Sequence, residues 1–248
     1  MSKRALLRNL FPCKILVLLG TFLVICAFAH AQSPSSMAWQ TVHTFGLTNL
    51  MGYTPLAPLV QASDGFLYGT ASRGGVYNRG VIFRINADGT GYQVQRAFGA
   101  ITNDGELPAG KLLEASDGML YGTASWGGAF GGGIVYRLNK TGTSYTVLKA
   151  FGDSSLNGVN PQCHLLEGSD GMIYGETING GSNNVGTLFR LQKSGSGFGV
   201  LYHFGALSDG LYPVEGVVEG SGQMLYGTCL RGGNSGGGTI FRFNLGAG

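Results

Sequence analysis

The stretch Asp117-Gly118-Met119-Leu120-Tyr121-Gly122-Thr123 decides how the chain reads, because it is written repeatedly. Tyr121 has counterparts in Tyr68, Tyr174 and Tyr226, each inside a Leu/Ile-Tyr-Gly step, at spacings of 53, 53 and 52 residues. The glycine pairs Gly74-Gly75, Gly127-Gly128, Gly180-Gly181 and Gly232-Gly233 keep the same step, as do Phe83-Arg84, Tyr136-Arg137, Phe189-Arg190 and Phe241-Arg242. Self-similarity at so long a period identifies an array of one supersecondary unit per copy, a solenoid or a propeller.

Within the second copy, four apolar stretches are separated by turn chemistry. Leu107 to Ala115 ends in the Ser116-Asp117-Gly118 turn, and Met119 to Ser125 leads into the glycine-rich loop that runs to Gly133. Ile134 to Asn139 closes at Lys140-Thr141-Gly142, and Ser144 to Phe151 ends at Gly152. This spacing predicts a four-stranded antiparallel meander. Helix is disfavoured: no stretch sustains apolar residues at i, i+3 and i+4, while β-branched and aromatic residues crowd segments that glycine keeps interrupting. In the third strand Phe83 and Ile85 point one way and Ile82 the other, so both faces are apolar, as in a sheet sandwiched between neighbours.

The ends of the array supply a topological expectation. Trp39, Tyr92, Tyr145 and Phe198 are 53 apart, and so are Phe45, Phe98, Phe151 and Phe204, so Trp39 to Phe45 reads as a fourth strand. The last copy runs only through its third strand, at Phe241-Arg242-Phe243. The sequence therefore predicts an all-β, four-bladed β-propeller of four-stranded antiparallel blades, closed by the N-terminal strand.

Asp-Gly-x-Leu-Tyr-Gly-Thr, then Gly-Gly, then Gly-x-x-Phe-Arg-Leu, then a Tyr-x-Val-Leu-x-x-Phe-Gly close, resembles the GloVer tandem repeat of exported bacterial proteins. The motif stands here as Asp64-Gly65-Phe66-Leu67-Tyr68-Gly69-Thr70 and again at 117–123, and the resemblance covers about Trp39 to Leu245. Gly222 and Gln223 replace Asp-Gly in the fourth copy, and Glu176 replaces Thr in the third. The resemblance implies an exported repeat protein and carries no established reaction.

Residues 1–31 read as an export signal. Lys3, Arg4, Arg8 and Lys14 give a basic start, Ile15 to Ala29 is apolar, and Ala29-His30-Ala31 supplies a small-x-small cleavage pattern. A short linker at 32–38 and a single repeat domain at 39–248 follow, with no membrane span in the mature chain and a secreted or periplasmic location. Of 16 Lys+Arg and 13 Asp+Glu, four basic residues fall in the signal, leaving 12 against 13. With no basic stripe left, nucleic acid is excluded as a partner class. Cys163 and Cys229 occupy different phases and read as buried free thiols rather than a disulfide framework.

Residues that recur once per copy are needed once per sheet. This applies to the tyrosine, to the arginine after Phe/Tyr, and to Glu114, Glu167 and Glu219 (Gln61 in the first copy), read as polar ties within or between sheets. Asp64, Asp117 and Asp170 read as turn residues. Function is expected on the long loops at the opposite end. There Arg73, Trp126, Asn179 and Arg231 share one phase but differ in chemistry, while Asp104, Glu106, Asp153 and Asp209 sit in the crossing loops. Arg73, Trp126, Asn179, Arg231, Asp104 and Glu106 form the candidate ligand site, suited to carbohydrate or a surface protein. No cofactor, metal site or catalytic group is assigned: His43, His164 and His203 take three phases, and Glu176 is the lone acid breaking the repeat inside a strand. The expected function is a noncatalytic binding or scaffold module, and the alternative is a propeller hydrolase or lyase using loop carboxylates on polysaccharide.

Overall fold

A computed structural model describes residues 40–46, 50–205 and 208–246; the export signal, the linker and Trp39 lie outside them. Four antiparallel sheets follow one another along the chain. The first joins β1 (Val60–Gln61), β2 (Leu67–Ala71), β3 (Val81–Ile85) and β4 (Gln93–Ala97) in that order. The second contains β5 (Gly105–Pro108), β6 (Leu113–Glu114), β7 (Leu120–Gly127), β8 (Ile134–Leu138) and β9 (Tyr145–Ala150), with β5 and β6 both pairing β7. The third joins β10 (Leu166–Glu167), β11 (Ile173–Thr177), β12 (Thr187–Leu191) and β13 (Gly199–His203). The fourth has β14 (Leu211–Gly220), β15 (Met224–Arg231) and β16 (Thr239–Asn244). The predicted meander is thus present. Its first stretch is split in the second copy into β5 and β6, whereas the fourth copy runs as the single β14 with a register shift between Val214 and Val218.

Sheet-to-sheet seams carry the core, as two apolar faces require. Tyr68 and Ile82 of the first sheet pack with Leu112, Leu120 and Tyr136 of the second. Tyr121 and Val135 meet Leu165, Ile173 and Phe189, and Tyr174 and Leu188 meet Val217 and Leu225. An aromatic at the end of each fourth strand crosses to the next sheet: Phe98 to Tyr136 at 5.2 Å, Phe151 to Phe189 at 5.3 Å, Phe204 to Phe241 at 5.1 Å. Such edge or tilted pairs add to plain area burial.

The recurring polar residues tie the same seams. The Glu114 carboxylate accepts from the Ser63 N–H and hydroxyl at 2.7 Å each and pairs with Lys140, while Glu167 repeats this with Ser116 and Lys193. Glu219 accepts from Ser169 in the same way. Each glutamate thus clasps the turn of the preceding sheet. Asp64, Asp117 and Asp170 are turn residues, as expected, and one oxygen of each also accepts the hydroxyl of Tyr68, Tyr121 or Tyr174.

Pairing of the N-terminal strand with the last sheet is not seen among the described residues. Residues 41–46 carry no strand assignment, and among the described residues β16 pairs only with β15. The segment lies instead on the first sheet: Phe45 meets Phe83 at 5.4 Å and His43 stacks on Tyr92 at 4.3 Å. Phe45 therefore takes toward β3 the place that Phe98 takes toward β8, which keeps its fourth-strand phase. Among the described residues no helix is long and apolar enough to cross a membrane.

Candidate functional site at the loop end

The second and third strands of every sheet are joined through a glycine pair in the left-handed region, for example Gly127 at φ 79° and Gly128 at φ 80°. A Cβ on Gly127 would lie 2.4 Å from the Asp104 carbonyl oxygen, so side-chain-free backbone is what lets the loop close onto the crossing segment. The residue just before each pair is held at the same end of its sheet. Arg73 bridges to Tyr53, Trp126 pairs with Glu106, Asn179 bridges to Val159 and Arg231 pairs with Leu211. The sequence phase therefore does bring Arg73, Trp126, Asn179 and Arg231 to equivalent positions.

Their availability differs. Trp126 is 52 % exposed and directly opposite Glu106 in the β5–β7 ladder, so both side chains leave the same face of the sheet. Arg73 and Arg231 are exposed, and Arg231 borders an open hollow of about 790 Å³ with Leu211, Asn234 and Ser235. Asn179 is half-buried and donates to Asn160 at 3.1 Å.

Asp104 departs from the expectation. It is buried, with Oδ2 accepting from Arg96 at 2.6 Å and from the Gly99 N–H, and Oδ1 accepting from the Gly105 N–H and the Tyr145 hydroxyl. Arg96 in turn lies 3.4 Å over the Tyr145 ring. Every lone pair a ligand would use is taken, and the carboxylate stitches the first sheet to the second. Asp153 pairs with Lys149 at 2.8 Å, and Asp209 accepts from the Tyr202 hydroxyl through Oδ2. Of the crossing-loop acids in the candidate site, Glu106 alone remains open toward the loop face.

Glu176 is buried in β11, at the phase where the other copies have Thr70, Thr123 and Thr228. Burial pushes its carboxyl up to about 8, opposed by the Gly216 N–H that donates to Oε2 at 3.1 Å, while Oε1 is buried without a partner among the described residues. Cys163 packs against the Glu176 backbone and Cys229 lies in the last sheet; both are free and buried, and desolvation pushes the Cys163 thiol up to about 12 and Cys229 to about 11. The buried clasp through Asp104 was not legible from the repeat, since neither Arg96 nor Tyr145 pairs with an acid in every copy. An arginine eight residues ahead of an aspartate across a tight Phe-Gly turn was the available signal.

Four consecutive antiparallel sheets packed face to face define a propeller-like repeat protein. In agreement, the nidogen chain in a crystal structure of a nidogen/laminin complex superposes with a TM-score of 0.51 at 15% identity, covering 78% of this chain and 65% of that one. A gluconolactonase from Xanthomonas campestris aligns at 19% identity and a TM-score of 0.46, over 75% of this chain and 57% of its own. The chain thus spans less than two thirds of the length of either structure. Comparison with curated proteins finds no match. The Gloeobacter/Verrucomicrobia repeat matches residues 54–248, and the chain belongs to that family.

Proposed function

We propose that the chain is an exported, noncatalytic binding module whose loop end takes carbohydrate, with Trp126 as the stacking platform and Glu106 as the acceptor for sugar hydroxyls. The exposed Trp126 set in register opposite Glu106 carries this reading: a large amphipathic ring left half in water beside a carboxylate with no partner among the described residues suits the apolar face and hydroxyl rim of a sugar ring. Arg73 and Arg231 extend the same end with hydrogen-bond donors. The basic start and small-x-small pattern of residues 1–31 support export.

A glycan array probed with the purified chain tests this directly. Binding to at least one glycan class is expected, weakened by Trp126→Ala roughly tenfold or more, ~1.4 kcal/mol. Binding unaltered by that substitution would remove the site. Burial and saturation of Asp104 remove one of the two loop carboxylates on which the hydrolase reading relied, so sugar release is not expected.

A further inference from the structure

We propose that the two ends of the array are complementary halves of one more seam, and that a second copy of this chain docks its N-terminal end on the last sheet, head to tail. The exposure of equivalent residues marks out both halves. Tyr68, Tyr121 and Tyr174 are fully buried while Tyr226 is 38 % exposed; Ile82, Val135 and Leu188 are fully buried while Ile240 is 83 % exposed. These are the residues that face the following sheet. On the opposite side, Leu112 and Leu165 are 3 % exposed and Val217 1 %, while Leu59 is 43 % exposed. These face the preceding sheet. Each end therefore bares the set of positions that the other end's counterparts cover inside the array.

Polar groups repeat the pattern. Ser63, Ser116 and Ser169 are each clasped by a glutamate of the next sheet. Ser221, at the same phase, has no such partner among the described residues, and the first copy carries Gln61, whose amide oxygen can accept from it, at the glutamate position. Asp104 Oδ1 accepts the hydroxyl of Tyr145, the aromatic that opens the next sheet's fourth strand. At the last sheet, Asp209 Oδ1 is buried with no partner among the described residues.

Beside Asp209 lies a hollow of about 330 Å³, lined by Leu188, Tyr202, Phe204, Phe241 and Phe243 among others. It sits along β16, whose outer edge has no partner among the described residues, whereas β3, β8 and β12 each pair with a fourth strand. The segment 39–45 is in fourth-strand phase, and Trp39 falls where Tyr92, Tyr145 and Phe198 fall. An added strand satisfies the open ladder, and an indole brings an apolar ring for the hollow with an N–H for Asp209. The segment's later residues already sit on the first sheet in the manner of an internal fourth strand, so it would carry its own first sheet onto the last sheet of its neighbour. Such a heterologous contact propagates into rings or filaments.

Light scattering and sedimentation of the purified chain over a range of concentrations test this. The expected result is mass rising with concentration beyond one chain, with Ile240→Asp and Leu59→Asp each holding the protein at one chain. An equimolar mixture of these two variants should form a two-chain species and nothing larger, since each retains one intact end, and Trp39→Ala should shift association to at least tenfold higher concentration. Circular dichroism checks that the variants stay folded, as their exposure here leads one to expect. A single chain at every concentration, or variants that associate like the parent, would overturn the proposal. A monomer whose melting temperature drops on Ile240→Asp would overturn it too, by showing that the ends meet within one chain.

Discussion

Glu114 accepts both the backbone N–H and the hydroxyl of Ser63, 51 residues earlier and one sheet back, at 2.7 Å each. A carboxylate at that place can bond two donors of a neighbouring turn at once, which a single hydroxyl or an aliphatic side chain cannot. Its recurrence at Glu167 and Glu219 makes it the polar fastener of the array.

Acid should loosen these fasteners. Partial burial opposes ionisation of Glu114 and Glu167, but the bonds from Lys140 and Ser63, and from Lys193 and Ser116, outweigh it and hold both carboxyls below their ordinary value. A depressed folded-state value adds stability that is present above the unfolded value of ~4.3 and is lost as pH falls through the folded one. The melting temperature is expected to fall as pH drops below about 4, and Glu114→Gln should flatten that fall while costing ~1 kcal/mol at pH 7 after discounting for solvent exposure.

Glu176 should act in the opposite direction. Because desolvation raises its folded-state value to about 8, the folded chain holds a proton that the unfolded chain has released. Stability is then expected to decline as pH rises from ~4.3 toward 8, and the decline is complete above that value. Glu176→Gln should raise the melting temperature at pH 9 and leave it nearly unchanged at pH 4. Parallel pH profiles of parent and variant that never diverge would contradict this.

Asp104 is a structural residue, and its removal should be felt in stability. Asp104→Ala strands the Arg96 guanidinium, whose side chain is 11 % exposed, and leaves the Tyr145 hydroxyl without its acceptor. A loss of about 3 kcal/mol or more in denaturant titration is expected, with the slope unchanged. Tyr145→Phe should cost about 1 kcal/mol.

The thiols offer a simple readout of intact seams. Cys163 and Cys229 are buried and their thiols are pushed well above neutrality by desolvation, so a thiol reagent at pH 8 should label neither until denaturant is added. Rapid labelling of Cys229 in the native protein would show that the last sheet opens.

Much of this was written in the repeat itself. Asp117 before Gly118 predicts its turn, the Leu120-Tyr121-Gly122 step predicts a strand, and Glu114 recurs because every seam needs it. What the repeat could not disclose depends on departures from it. Asp104 meets Arg96 and Tyr145, residues whose counterparts Lys149 and Phe198 make a different contact, with the ammonium 4.5 Å over the ring. The placement of Phe45 depends on the angle between successive sheets, a property of packing that no spacing encodes, and a fourth-strand phase is equally compatible with a joined or an open pair of ends.

Each of the three buried seams joins only consecutive copies. Damage therefore travels stepwise, like delamination in plywood. The outermost lamina, with Tyr226 and Ile240 bare to water, is where a protease or a pulling force would first find purchase, and the inner layers would be shielded until it had peeled away.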